Sequence, residues 1–149
     1  MDHLLRTQAP ITAIGWQQIT DEAARVLRQR LAGRRLVSFS ASGDWSESSV
    51  ALGRVDQLPP NSSADPQVAV AARRVQAMVE LEVDFEVSRA ELAAADRGAS
   101  DMDTSSVISA AQRAATAEDT LVFSGDSGAG VPGVSAASPH PVVSSGEGL

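Results

Sequence analysis

The stretch from Val79 to Val87 alternates strictly between apolar and acidic residues. Its even positions hold Glu80, Glu82, Asp84 and Glu86, and its odd positions hold valine, leucine or phenylalanine. Because side chains of a β-strand point alternately to its two faces, the pattern predicts a strand with one apolar and one acidic face. Such a strand is stable if its apolar face is buried and its carboxylates stay hydrated or meet arginine. Without neighbouring strands it would expose an unpaired edge that is prone to aggregation.

Length and composition limit the class of protein. The 149 residues suffice for one domain with a modest core, and aromatic residues make up only 3% of them. A net charge of −7 argues against nucleic acid as a partner, since phosphate binding needs clustered positive charge. The absence of cysteine excludes disulfides and thiolate metal sites and is compatible with a reducing cytoplasm. We recognise no signal peptide and no apolar run of the roughly 20 residues that span a membrane.

The charge is unevenly distributed along the chain. Residues 1–37 carry +3, whereas the remainder carries −10, and every basic residue is arginine. A basic N-terminal element and an acidic remainder attract each other, within one chain or between copies. We therefore predict that the acidic face of residues 79–87 contacts an arginine-bearing surface of another copy. The alternative is a solvated outer face. The residues predicted to make this inter-subunit contact are Glu80, Glu82, Asp84 and Glu86.

The N-terminal part predicts one long amphipathic helix. It should run from about Ala13 to Ala32, with Thr12 as the N-cap and Gly33 as a left-handed stop. Its apolar stripe at helical spacing comprises Trp16, Ile19, Ala23, Val26, Leu27 and Leu31. The arginines near its C-terminal end suit the helix dipole.

The middle of the chain predicts extended structure. Residues 35–40 and 50–55 read as short strands, and 58–66 as a turn because proline and asparagine there disfavour ladder pairing. Residues 67–87 return as a long extended segment. Two extended arms around a polar tip predict a long hairpin.

Two further helices and a low-complexity segment complete the prediction. The first runs from Ser88 to Gly98, with Ser88 and Glu91 at capping-box spacing. The second begins near Asp103 or Thr104 and ends near Val122; its predicted buried face comprises Val107, Ile108, Ala111, Ala114, Ala115, Leu121 and Val122. From Ser124 onward glycine, serine and proline predict mostly disorder. The predicted divisions are 1–40 (helix and first strand), 41–87 (hairpin and strand), 88–125 (helices) and 126–149 (flexible tail).

Several short motifs suggest chemistry that their surroundings do not support. "GDSG" (125–128) resembles the surroundings of a serine nucleophile, but both histidines lie near the chain ends. "GAGVPG" (128–133) lacks the strand before it and the helix after it that dinucleotide binding needs. "DMDTSS" (101–106) lacks the glycine and glutamate of a calcium loop. Glu118 and Asp119 read as salt-bridged structural residues. We predict no enzyme activity, no catalytic residues, no cofactor and no metal site.

The order of these parts resembles encapsulin shell proteins, also called linocin-type bacteriocin proteins. The similarity lies in "LLRTQAPIT…GWQQITDEAARVLRQRLAGRRLVSFS", in "VELEVDFEVSRAELAAADRGASD" and in "AEDTLVFSG". It continues through "GAGVPGVSAASPHP" and covers about the first 140 residues. The acidic series at 79–87 is unusual for the corresponding family strand, which tends to mix arginine, threonine and small residues.

The resemblance implies an α+β, phage major-capsid-like (Hong Kong 97-like) fold. Many copies would close into an icosahedral compartment in the bacterial cytoplasm. The long hairpin would be the extended loop that overlaps a neighbouring subunit, and the helix from Thr104 would be the spine of the peripheral domain. Family members are longer, so the expectation is a subunit truncated before the axial domain.

The resemblance also implies a cargo. Family shells enclose a dye-decolorising peroxidase or a ferritin-like protein, whose C-terminal peptide docks partly against the N-terminal helix. By that analogy the docking residues would be Val26, Leu27, Leu31 and Arg34, although the three apolar ones equally suit a core stripe. The predicted function is a non-catalytic shell subunit that self-assembles and encloses cargo, with no nucleic-acid or membrane partner. The alternative is a truncated, non-assembling paralogue that acts as a bacteriocin-like or interaction protein.

Overall fold

The computed structural model describes residues 6–40, 43–59, 63–65 and 67–140, and these residues mix helices with short antiparallel strands, as in an α+β protein. The helices are α1 (Ala13–Arg30), α2 (Gly33–Leu36), α3 (Arg89–Asp96), α4 (Ser105–Phe123) and α5 (Val134–Ala137). The strands are β1 (Ser49–Gln57), β2 (Ala71–Ala77), β3 (Gly125–Asp126) and β4 (Val131–Pro132). The chain forms two compact units: unit 1 combines residues 1–38 with 81–120, and unit 2 combines 39–80 with 121–149.

Helix α1 begins at Ala13, as the sequence predicts, but ends at Arg30 instead of Ala32. The Thr12 hydroxyl accepts a hydrogen bond from the Gly15 amide at 3.2 Å, which confirms Thr12 as the N-cap. The helix ends at Arg30, and the prediction of Gly33 as a left-handed stop is wrong, because Gly33 opens the short helix α2. The strand predicted at 35–40 is also wrong: its first two residues belong to α2, and 37–40 pair with no strand within the described ranges.

The core of unit 1 is small. Its buried side chains are Ile19 of α1, Ala95 of α3, Met102 in the segment before α4, and Val107 of α4. Half-buried neighbours, including Trp16 and Leu92, pack around them. A side chain at Gly15 would meet Ile11 at 3.1 Å and Leu92 at 3.2 Å, so this glycine permits the close approach of α1 and α3.

Helix α3 confirms the predicted capping. The Ser88 hydroxyl accepts a hydrogen bond from the Glu91 amide at 3.2 Å, and Gly98 follows the helix with φ of +100°. The Glu91 carboxylate does not complete a capping box, because it accepts a hydrogen bond from the Asp103 amide at 2.9 Å. Glu91 thereby ties α3 to the segment that leads into α4.

Helix α4 is capped by Asp103, which is one of the two residues predicted to begin it. The Asp103 carboxylate accepts a hydrogen bond from the Ser105 amide at 2.9 Å, and this backbone hydrogen bond lowers the pKa of Asp103. The residues of α4 that are buried are Val107, Ala110, Ala111 and Ala115; of these only Ala110 was absent from the predicted face. The alanines let neighbouring segments approach α4 closely.

Unit 2 contains the predicted hairpin. Strands β1 and β2 pair antiparallel, with Ser49 opposite Ala77 and Gln57 opposite Ala71. Between Ala51 and Val55 the register shifts, and Gly53 lies there with φ of +67°. Of the predicted extended run 67–87, only β2 forms a ladder among the described residues. Residues 60–62 and 66 of the predicted turn lie outside the described residues.

The segment after Ser124 is more regular than the sequence predicts. Gly125 pairs with Pro132 in the β3–β4 ladder, and α5 follows. A side chain at Gly125 would lie 2.3 Å from the Gly133 backbone nitrogen, so the two glycines allow the backbones to touch. The prediction of mostly disorder is therefore wrong for this turn, while residues 141–149 lie outside the described part.

Candidate functional site

The C-terminal end of α1 is organised by a carboxylate from α4. Asp119 accepts hydrogen bonds from the backbone amides of Ala32 at 3.0 Å and Gly33 at 2.8 Å. These amides stand at the start of α2, where a carboxylate satisfies donors that have no helical partner. The same contact turns the chain into α2, which explains why Gly33 does not adopt a left-handed conformation.

Arg34 is held beside this junction by the preceding residue of α4. Its guanidinium donates from Nε and Nη2 to the two Glu118 carboxylate oxygens at 2.6 Å and 2.8 Å. The hydrogen bond with Glu118 raises the pKa of Arg34, so its charge is fixed at physiological pH. The predicted salt-bridged role is thus confirmed for Glu118, whereas Asp119 acts structurally by binding backbone amides.

Arg35 also binds at the junction between α1 and α2. Its Nη2 donates to the carbonyl oxygens of Arg28 at 2.6 Å and Gln29 at 2.7 Å. These carbonyls lie in the last turn of α1, which has no helical donors left to bind them. Hydrogen bonds therefore hold the side chains of two arginines at the end of one helix.

A shallow groove lies between the last turns of α1 and these arginines. It has a volume of about 380 Å³ and is lined by Ala24, Leu27, Arg28, Leu31, Arg34 and Arg35. Its floor is aliphatic and its charged groups are all guanidinium. Such a groove suits a short peptide that carries apolar side chains and a carboxylate.

The four predicted docking residues divide into two groups. Leu27, Leu31 and Arg34 line the groove, although Leu31 is only 6% exposed. Val26 is 3% exposed and does not line this groove. That these residues bind a cargo peptide stays a prediction.

The four predicted contact acids are all exposed, as a solvent-facing or partner-facing acidic surface requires. In unit 1, Glu82, Asp84 and Glu86 lie on the segment that runs beside α4. In unit 2, Glu80 lines a cavity of about 590 Å³ together with Trp45 and Met78. The sequence analysis missed Trp45; the available signal was a large aromatic side chain in a stretch of serine and glycine.

The apolar face of the same segment is only partly buried. Phe85 is 40% exposed, Leu81 is 42% exposed, and Val83 and Val87 are half-buried. The strand predicted at 79–87 pairs with no other strand in the described residues, but its apolar side chains lie toward α1 and α4 without being fully covered by them.

The short motifs have structural roles in this fold. "GDSG" and "GAGVPG" form the β3–β4 turn, in which the Asp126 carboxylate accepts a hydrogen bond from the Ala129 amide at 2.8 Å. Over the described ranges, no group of three or more potential ligands is placed to hold a metal ion. No helix within those ranges has both the length and the hydropathy to cross a membrane.

Comparison with known proteins places these features in a family. The linocin family model, described as "encapsulating protein for peroxidase", matches residues 1–148. Type 1 encapsulin shell proteins are similar: that of Rhodospirillum rubrum is 43% identical over 141 residues, which are 93% of this chain and 50% of the relative. That of Rhodococcus erythropolis is 38% identical over 95% of this chain, and that of Mycobacterium tuberculosis 35% over 96%. The chain spans about half the length of the curated relatives it matches.

Proposed function

The chain belongs to the encapsulin shell protein family, and from this premise we propose that it is a structural subunit of a bacterial encapsulin nanocompartment. Many copies assemble into the shell, and the shell encloses a cargo protein. The family match over residues 1–148 carries the proposal. The bacteriocin-like alternative has no observation in its favour, because the similar curated proteins are named as shell proteins.

Within the α+β class, we propose a phage major-capsid-like (Hong Kong 97-like) fold for this subunit. In this proposal the β1–β2 hairpin is the extended loop that overlaps a neighbouring subunit, and α4 is the spine helix. Support comes from the hairpin's surface: Val50, Leu52, Val55 and Val75 are each about half exposed, from 49% to 57%. An isolated two-stranded hairpin is marginally stable in water, so a neighbour that covers these side chains would stabilise it.

The groove at the end of α1 is the proposed cargo-docking surface. Leu27 and Leu31 contact apolar side chains of a cargo peptide. The guanidinium groups of Arg28, Arg34 and Arg35 attract its carboxylate, although Nε and Nη2 of Arg34 are already bound to Glu118. The family description names a peroxidase as the encapsulated protein, so a dye-decolorising peroxidase is the first candidate cargo and a ferritin-like protein the second.

The remaining roles follow from the shell assignment. The exposed acids Glu80, Glu82, Asp84 and Glu86 face a neighbouring polypeptide. The subunit itself has no catalytic role, since its relatives are named for a shell. It acts in the cytoplasm, where the compartment encloses its cargo.

Sedimentation velocity and negative-stain microscopy of the purified 149-residue chain test the proposal. We expect closed particles of many copies. The variant Val55→Glu places a charge on the apolar surface of β1 and should give small species with an unchanged circular dichroism spectrum. The matched control Gln57→Glu adds the same charge at another exposed position of β1 and should still assemble.

Two results would overturn the shell proposal. One is a wild-type chain that remains monomeric at every concentration. The other is an irregular aggregate that Val55→Glu and Gln57→Glu leave equally large, because such an aggregate does not depend on the hairpin surface.

A further inference from the structure

The cavity of about 590 Å³ in unit 2 lies at the base of the β1–β2 hairpin. There the Met78 amide donates to the Ser48 carbonyl oxygen at 2.9 Å, which extends the pairing of Ser49 with Ala77 by one hydrogen bond. Residues before β1 line one side of the cavity, and residues 78–80 line the other. Its volume lies in the range of roughly 300–1,000 Å³ that is usual for ligand sites, so it can hold a small molecule or a side chain.

Part of the cavity wall is apolar and remains in contact with water. Trp45 is 63% exposed, and Met78 is 50% exposed. A ligand that covers large apolar side chains removes their surface from water, which stabilises the complex. The indole ring also offers a π face that attracts cations more strongly than the rings of tyrosine and phenylalanine do.

The remaining wall is negatively charged. Asp44, Glu47 and Glu80 line the cavity, and its lining contains no basic residue. In the part of the chain that the structure describes, none of the ion pairs involves these three carboxylates. A side chain at Gly43 would lie 3.0 Å from the Glu47 carboxylate, so the glycine leaves this carboxylate its place in the wall. The cavity therefore combines an exposed aromatic ring with negative charge that has no counter-ion.

A guanidinium group suits both parts of this wall. Its plane stacks on aromatic faces, its donors bind carboxylates in pairs, and it is more weakly hydrated than an ammonium group. Both kinds of contact occur elsewhere in this protein: the Arg6 guanidinium lies 5.0 Å from the centre of the Trp16 ring, and Arg34 binds both carboxylate oxygens of Glu118. A neutral ligand would leave the negative charge uncompensated, and an anion would be repelled.

From these observations we infer that the cavity lined by Trp45, Met78 and the three carboxylates is a binding site for a guanidinium group. The group stacks on the indole ring, and the carboxylates accept hydrogen bonds from its N–H donors. Its source is either a free alkylguanidinium compound or an arginine side chain of another copy of the chain. The inference goes beyond the shell proposal and does not depend on it, because all the lining residues belong to unit 2 of one chain.

Saturation-transfer NMR with the purified full chain tests the inference, because it observes the ligand and works with particles of any size. The probe is Nα-acetyl-arginine amide, whose only charge is the guanidinium, and we expect saturable binding. Nα-acetyl-lysine amide should bind about threefold more weakly, because its ammonium group is more strongly hydrated. Nα-acetyl-citrulline amide has nearly the same shape as the arginine probe but no charge, and it should bind about tenfold more weakly.

Two variants remove one part of the cavity wall each. Trp45→Leu removes the π face, and Glu47→Gln/Glu80→Gln removes two negative charges at nearly constant shape. Each should weaken binding of the arginine probe by about tenfold. Circular dichroism checks that both variants keep the fold.

Two control variants make the same kind of change outside the cavity. Phe39→Leu replaces another exposed aromatic residue of unit 2, which is 51% exposed and does not line the cavity. Asp21→Asn/Asp101→Asn removes two exposed negative charges from unit 1. Both controls should leave the affinity within about twofold of the wild type, because salt screens exposed charges.

Analytical ultracentrifugation with and without the arginine probe distinguishes the two sources of the guanidinium group. If an arginine of another copy fills the cavity, the probe displaces it and reduces the particle size of the wild type. If the particle size stays constant while the probe binds, the natural occupant is a free alkylguanidinium compound. Either result supports a guanidinium site.

Three results would overturn the inference: the arginine probe does not bind, the citrulline probe binds equally well, or the cavity variants and their controls weaken binding equally. Particle size is recorded in the same samples. Failure of guanidinium binding with intact particles refutes this inference and leaves the shell proposal standing, whereas binding by a chain that forms no particles does the reverse.

Discussion

Asp119 joins two elements that are far apart in sequence. Its carboxylate binds the amides of Ala32 and Gly33, 87 and 86 residues away, and so fixes where α1 stops and α2 begins. The adjacent Glu118 binds Arg34, whose side chain is 43% exposed. The first contact satisfies backbone donors, whereas the second is a surface ion pair that solvent screens.

We predict that Asp119→Ala lowers the free energy of unfolding by about 1–2 kcal/mol, because two backbone amides lose their acceptor. Urea denaturation measures the change. The adjacent control Glu118→Ala should cost about 0.5 kcal/mol, as for exposed ion pairs. A larger loss for Glu118→Ala than for Asp119→Ala would contradict this assignment.

At the scale of elements, the β1–β2 hairpin depends on one backbone conformation. Gly53 lies where the register between the strands shifts, and its positive φ is one that side chains disfavour. A Cβ at this position would have nothing within 4 Å, so any cost of substitution comes from the backbone and not from crowding.

We predict that Gly53→Val destabilises the hairpin by about 1–2 kcal/mol, whereas Gly53→Asn costs less because asparagine tolerates this region better. Hydrogen exchange of the β1 amides measures the local stability, and exchange in α4 is the internal control. Equal exchange rates for both variants and the wild type would show that the shift does not need a positive φ.

At the scale of the whole molecule, two surfaces of unit 1 differ in charge. The groove at the end of α1 combines aliphatic side chains with guanidinium groups, whereas the segment beside α4 carries the exposed carboxylates of Glu82, Asp84 and Glu86. Surfaces of opposite charge favour different partners.

We predict that Leu27→Asp weakens binding of a synthetic peptide from the C-terminus of a cargo peroxidase at least tenfold. The substitution removes aliphatic surface from the floor of the groove, and its carboxylate would compete with that of the peptide for the neighbouring arginines. Isothermal titration calorimetry measures the affinity. The control Ile14→Asp changes an exposed residue of α1 that does not line the groove, and it should bind normally. Equal losses of affinity for Leu27→Asp and Ile14→Asp would show that the peptide binds elsewhere.

The sequence by itself determined the elements whose signals are local. Thr12, Ser88 and Asp103 cap their helices as predicted, because a cap needs only an amide two or three residues away. The hairpin was also predictable, since its strands and its polar turn are contiguous. The family resemblance likewise needed only the order of the residues, and the comparisons confirm it.

Only the tertiary structure decided what depends on distant partners. Gly33 opens a helix because Asp119 reaches its amide, and no pattern around Gly33 reports a residue 86 positions away. The strand predicted at 79–87 is absent from the described residues, because a ladder needs a second strand and side chains of α4 bind one edge instead. Its apolar side chains still lie toward α1 and α4. Val26 and Leu27 are adjacent and both apolar, yet only packing places the first inside and the second in the groove, because the sequence does not say which side of a helix its neighbours cover.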